Sequence, residues 1–93
     1  MPKFNIGALV ITRRINNTVA DNKAFSKEII TTLRRYILTD WGDLCEGDKK
    51  LNDNALESGN DRIVAAYNTT EGRIYIITEY DRSYTTILFV DEY

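Results

Sequence analysis

Between residues 73 and 90 the chain carries two runs rich in β-branched and aromatic residues, 73–80 and 85–90. Such residues fit a pleated, half-buried surface. The runs are parted by Asp81, Arg82, Ser83 and Tyr84, a hairpin-length gap in which Asp and Ser can satisfy turn backbone groups. A C-terminal antiparallel hairpin therefore sets the frame. Everything before it must supply further strands or a cover for one sheet face.

Read in order, residues 6–13 form a short apolar run expected to be a first strand, with Gly7 marking a bulge or a close backbone approach. Residues 15–22 read as a loop or an irregular helical turn, after which Asp21 or Asn22 offers an N-cap. Residues 23–38 are the clearest helix. Phe25, Ile29, Leu33 and Tyr36 or Ile37 make one apolar stripe, and Arg34 and Arg35 lie where cations meet the negative end of the helix dipole. Residues 39–44 break it, with Trp41 beside a glycine able to take positive φ.

A second helix is expected over residues 46–57, closed by Gly59 as the C′ glycine. Leu44, Leu51, Ala55 and Leu56 supply its inward face; Asp48, Lys49, Asn52, Asp53 and Glu57 lie outward. Residues 62–68 alternate as a strand and turn through 69–72 into the hairpin. The expected fold is a single α+β domain over residues 1–93, β-α-α-β-β-β, with two helices on one face of an antiparallel sheet.

Ninety-three residues bound the chemistry. They suffice for one core without staples. No apolar run reaches the roughly 20 residues that span a bilayer, and the first residues lack a signal-peptide apolar stretch, so a cytoplasmic protein without membrane attachment is expected. One cysteine and no histidine exclude an internal disulfide and thiolate–imidazole zinc sites, and remove the usual neutral-pH general base. Cys45 reads as a small apolar side chain with no imidazole to activate it. The five glycines are scattered, so no phosphate-binding loop is present. No cofactor, metal site or catalytic residue is expected.

Charge is the remaining signal. Residues 1–39 carry seven basic side chains against two acidic, whereas residues 40–61 carry seven acidic against two basic. Asp40 and Asp43 flank Trp41 and Gly42; they could ligate a cation, but acidic residues near a helix start need no metal to be stable there. Glu79, Asp81 and Arg82 could line a cleft, although hairpin loops take this composition for turn reasons alone. Arg13, Arg14, Arg34 and Arg35, with six tyrosines as stacking faces, would suit nucleic acid. A pI near 5.0 opposes that footprint. The acidic stretch, conversely, would suit a basic protein groove.

Several segments carry a resemblance: Asp40, Trp41, Gly42, Asp43 and Leu44; residues 77–89; and the closing Asp91, Glu92 and Tyr93. Val10, Ile11, Thr12 and Arg13, and the pairing of Asp48 and Lys49 with Asn52, are similar too. Together they resemble a family of small proteins of about this length carried on plasmids, prophages and integrative elements. Its members are usually labelled plasmid-related or hypothetical, and sometimes as a type I restriction subunit. Tyr80 and Tyr84 stand where that family has small residues.

The resemblance implies a phage or plasmid context, in which blunting host defence by anti-CRISPR or anti-restriction activity is a reasonable role. The expectation is a non-enzymatic protein-binding module inhibiting a host defence nuclease. Its contact residues would be Asp40, Trp41, Asp43, Glu46, Asp48, Asp53, Glu79, Asp81 and Arg82. Trp41 would anchor the interface if exposed and pack in the core otherwise. The alternative is a small nucleic-acid-binding or regulatory protein using Arg13, Arg14, Arg34 and Arg35. Oligomeric state is not legible in the sequence.

Overall fold

The computed structural model describes residues 3–93. Its elements are β1 (Ala8–Ile11), α1 (Arg13–Asp21), α2 (Lys23–Ile37), α3 (Glu46–Ser58), β2 (Ile63–Thr69), β3 (Gly72–Thr78) and β4 (Tyr84–Phe89), followed by a 3-10 turn at Val90–Glu92. The α+β class stands, as a four-stranded sheet in the order β1-β4-β3-β2.

The hairpin expectation puts β3 and β4 together, and their register aligns Ile74 with Phe89, Ile76 with Ile87 and Thr78 with Thr85. β2 extends the same rows, adding Tyr67, Ala65 and Ile63. Because strand side chains alternate between faces, these residues all point to one side. There they meet Ile15, Phe25 and Tyr36 of α1 and α2, with Trp41 from the following turn and Ala55 of α3. Each fully buried Ile or Phe contributes about 1.5–3 kcal/mol, against about 0–1 kcal/mol for an exposed ion pair. The inward rows, not the charges, hold the fold.

Four features depart from the sequence reading. Residues 13–21 are a regular helix rather than a loop: Thr12 caps it by accepting the Ile15 N–H (3.2 Å), and buried Ile15 gives it an inward face. The weak helix formers Asn16, Asn17 and Thr18 masked that cap and anchor. β1 is shorter than expected and runs parallel to β4, so the sheet is mixed rather than antiparallel. On α2, capped by Asn22 (3.2 Å to the Phe25 N–H), the buried face is centred on Phe25, Thr32 and Tyr36 rather than on Leu33.

The fourth departure is on α3. Leu51, expected inward, is 65% exposed, while Asn52, expected outward, is 5% exposed. The Asn52 side chain donates to the Val64 carbonyl (2.8 Å) and accepts the Val64 N–H (3.2 Å). It takes the place of a neighbouring strand on the outer border of β2. Asp43 continues that role, donating its N–H to the Ala66 carbonyl (2.8 Å) and accepting the Asn68 N–H on its carboxylate (2.8 Å). A sheet border left unpaired is a template for association; here Asn52 and the turn through Gly42 and Asp43 occupy it.

A candidate protein-docking surface

The acidic stretch is taken apart by the fold. Beyond the end of α2, the Asp40 carboxylate accepts from Arg35 Nε (2.8 Å) and from the Gly42 N–H (3.1 Å). Arg35 holds that carboxyl below its ordinary value. Trp41 is 3% exposed and packs edge-on against Tyr36 at 5.6 Å. Its indole N–H donates to the Asp53 carboxylate (2.9 Å). Trp41 is therefore a core residue and offers no anchor, and Asp40, Asp43 and Asp53 are engaged inside the molecule. Glu46 and Asp48 remain exposed at the start of α3, Glu46 lying 3.7 Å from Lys49.

Glu79, Asp81 and Arg82 lie in the β3–β4 loop, at the opposite end of β2 from Asp43. Asp81 accepts the Ser83 N–H (3.0 Å), and Ser83 holds its carboxyl below the ordinary range. Arg82 adopts φ 60° and folds its guanidinium back over the loop. Nη1 donates to the carbonyls of Asp61 (2.6 Å), Glu79 (3.2 Å) and Tyr80 (3.2 Å), and Nη2 to that of Ala55 (3.1 Å). Arg82 ties the loop to the end of α3. The Gly7 peptide, at φ 65°, lies against the same loop, where an added Cβ would stand 2.3 Å from the Ser83 carbonyl oxygen. Of the nine residues expected to meet a partner, Asp40, Trp41 and Asp43 thus fall at one end of β2, Glu79, Asp81 and Arg82 at the other, and Glu46, Asp48 and Asp53 on α3; Asp40, Asp43, Glu79 and Asp81 do not share a cleft.

What the structure does assemble lies on the other face of the sheet, away from α1 and α2. In register there are Val64, Ile77, Thr86 and Val10, and beside them Ala66, Tyr75 and Leu88. The flank of α3 and the C-terminal residues border this face: the Tyr93 ring meets Tyr75 edge-on at 5.5 Å, and Arg62 spans the Tyr93 ring and hydrogen-bonds its hydroxyl.

Between α3 and Tyr75 runs a groove of about 330 Å³, lined by Leu44, Asp48, Leu51, Asn52, Arg62, Val64 and Tyr75. Its floor and one wall are apolar, and Asp48 and Arg62 bring opposite charges to it. Only Asp48 belongs to the expected contact set. Leu51, Arg62, Val64 and Tyr75 were not singled out by sequence, because Leu51 shares helical spacing with Ala55 and reads as core.

The four arginines of the nucleic-acid alternative also divide. Arg14 is bound to Asp91 (2.7 Å) and lies over the Phe89 ring, beside a second hollow of about 240 Å³ that Glu71 and Arg73 also line. Arg35 is bound to Asp40 and lies over Tyr67. Arg13 and Arg34 are exposed on different helices. On α2 the exposed cations that share one face are Lys23, Lys27 and Arg34. Among the described residues none of the three has an ion-pair partner.

Among the described residues no group of three or more Cys, Asp or Glu side chains is placed to hold a metal ion. No helix of the described residues is long and apolar enough to cross a membrane. Compared with protein-family models, curated proteins and solved structures, the chain matches none.

Proposed function

We propose that this chain is a non-enzymatic protein-binding module that seats a partner in the groove between α3 and Tyr75. The observation that carries the reading is the groove itself: an apolar floor and wall beside Asp48 and Arg62, with the side chain of Leu51 left 65% exposed at its rim. An apolar patch bordered by charges is the usual anatomy of a recognition surface. The partner class is the one implied by the resemblance to mobile-element proteins, a host defence nuclease, and the role is its inhibition. Asp48 and Glu46 favour a basic segment on that partner.

The test uses Leu51→Glu and Asp48→Lys, since both side chains are exposed and neither holds the fold. In cells carrying a defence nuclease, the native chain should co-purify with the nuclease and lower its cleavage of target DNA. Both variants should lose these effects while keeping the native circular dichroism. Folded variants that inhibit as well as the native chain overturn the groove as the site; a native chain that never inhibits overturns the role.

One observation favours a second reading, in which the unpaired cations Lys23, Lys27 and Arg34 meet a nucleic-acid backbone. About three phosphate contacts give a log–log salt slope of roughly −2 to −3. A fluorescence-anisotropy titration showing no binding at low salt would remove it.

A further inference from the structure

The two borders of the sheet are treated differently. The outer border of β2 is occupied by Asn52, Gly42 and Asp43. At the other border β1 pairs with β4 alone. In a parallel pair alternate residues turn both peptide groups to the neighbour. Ala8 donates to the Ser83 carbonyl (3.1 Å) and Thr12 to that of Ile87 (3.3 Å). Ala8, Val10 and Thr12 therefore face β4, and Leu9 and Ile11 turn their N–H and C=O groups outward. All four strand residues are exposed, Leu9 at 48%, Val10 at 44% and Ile11 at 38%. The strand holds no charge and no proline, two of the devices that blunt such an edge, and its four-residue length is the one such device that it does have.

We propose that this edge is a self-association surface: β1 pairs antiparallel with β1 of a second copy across a twofold axis at Val10, making one continuous eight-stranded sheet. An edge of outward peptide groups asks for a strand, and three features fit that strand to this chain. First, antiparallel pairing about Val10 sets Leu9 opposite Ile11 of the other copy, so the two outward-facing residues exchange both hydrogen bonds in a single register.

Second, the same register stacks Leu9 on Ile11 on the helix side and Val10 on Val10 on the other, pairs that stabilise a sheet. It places each Arg13 opposite a Gly7, so no like charges face each other. Third, among the described residues only one border is open. Two copies consume both open edges and present blocked β2 borders outward, so the assembly closes at two instead of growing into a fibre. Two four-residue strands are far smaller than a standard interface of about 1,200–2,000 Å². The dimer therefore forms at high protein concentration and dissociates on dilution.

Sedimentation equilibrium over a wide concentration range reads the stoichiometry, and amide exchange by NMR reads the site. The mass of the native chain should rise from one chain toward two and stop. Leu9 and Ile11 amides, fast-exchanging in dilute protein, should become protected as the mass rises, while the Val10 amide is protected throughout. Leu9→Lys, changing an exposed side chain, should keep the native circular dichroism and the mass of a single chain. A native chain that stays single leaves the edge to a strand of another protein and overturns the proposal. Growth beyond two, or a dimer in which the Leu9 and Ile11 amides stay unprotected, overturns it as well. The exchange readout needs no variant, so a misfolded Leu9→Lys leaves the test standing.

Discussion

Gly42 sits at φ 76°, and a Cβ there would lie 2.3 Å from the Ala66 carbonyl oxygen and 2.5 Å from the Tyr67 ring. The left-handed conformation alone costs a non-glycine residue about 1–2 kcal/mol, and the backbone oxygen cannot yield without moving β2. Gly42→Ala should therefore lose about 2–4 kcal/mol in urea denaturation. Gly47→Ala, in the first turn of α3 with no atom within 4 Å of the added methyl, should be neutral or gain up to about 1 kcal/mol. Equal stabilities for the two would contradict the argument. Positive φ was legible at Gly42, and a close approach at Gly7, because only glycine tolerates both.

Hydroxyl chemistry was less legible. Thr85 donates to the Ile6 carbonyl (2.6 Å), and Thr78 shares a hydrogen bond with Thr85 (2.6 Å) and another with Tyr36 (2.7 Å). Each hydroxyl has one proton, so the direction is fixed: Tyr36 gives to Thr78, Thr78 to Thr85, Thr85 to Ile6. Thr85→Val strands both the Thr78 hydroxyl and the Ile6 carbonyl; Thr78→Val strands only the Tyr36 hydroxyl, which has the Ile63 carbonyl at 3.4 Å as a substitute. The expected losses are about 2–3 and about 1 kcal/mol, measured by chemical denaturation, and the reverse order would refute the assigned direction. In the sequence these threonines looked like ordinary β-formers, since register decides who faces whom.

At the scale of elements, the α3 region shows where pattern reading stops. The span and the Gly59 cap were readable from propensity and turn chemistry. The face was not: a helix packed on a sheet border, rather than over a sheet face, buries a polar Asn52 to satisfy a strand and leaves Leu51 outside. β1 misled for a related reason, since an apolar run of four cannot say whether its neighbour is parallel. Arg82 joins three elements through carbonyls no sequence rule names. Arg82→Ala should cost about 1.5–3 kcal/mol and speed amide exchange in residues 79–83. Arg82→Lys should recover little, because one ammonium lacks the planar fork that reaches both Ala55 and Asp61. Near-native stability of the lysine variant would show that charge alone suffices.

For the whole molecule, the candidate surface emerged only when strand register put Val64 and Tyr75 beneath Leu51, contacts separated by long stretches of chain. Composition had excluded several chemistries but could not place a groove. Alkaline pH tests the assembled core. Burial raises the phenol pKa of Tyr36 and of Tyr67. Both groups therefore add stability that is complete below the unfolded phenol value of about 10 and is lost as pH climbs toward their folded values. Tyrosinate absorbance should contain a late component from these two of the six tyrosines that appears together with loss of far-ultraviolet circular dichroism. Complete ionisation with the dichroism intact would contradict their burial.

The pairing of β1 with β4, reinforced by Thr12 on Glu92 (3.0 Å) and Arg14 on Asp91 (2.7 Å), has a consequence in time. On the ribosome β1 is made well before β4, the strand that it pairs with in the described sheet. At about 5–20 residues per second, the wait is on the order of 4–15 s. During it the nascent chain holds out an uncharged Leu9, Val10 and Ile11 with no seat to take, and adjacent chains on one message compete with its own β4 for them. Translation speed and local crowding, as much as the finished contacts, then govern how much of this protein reaches its native state.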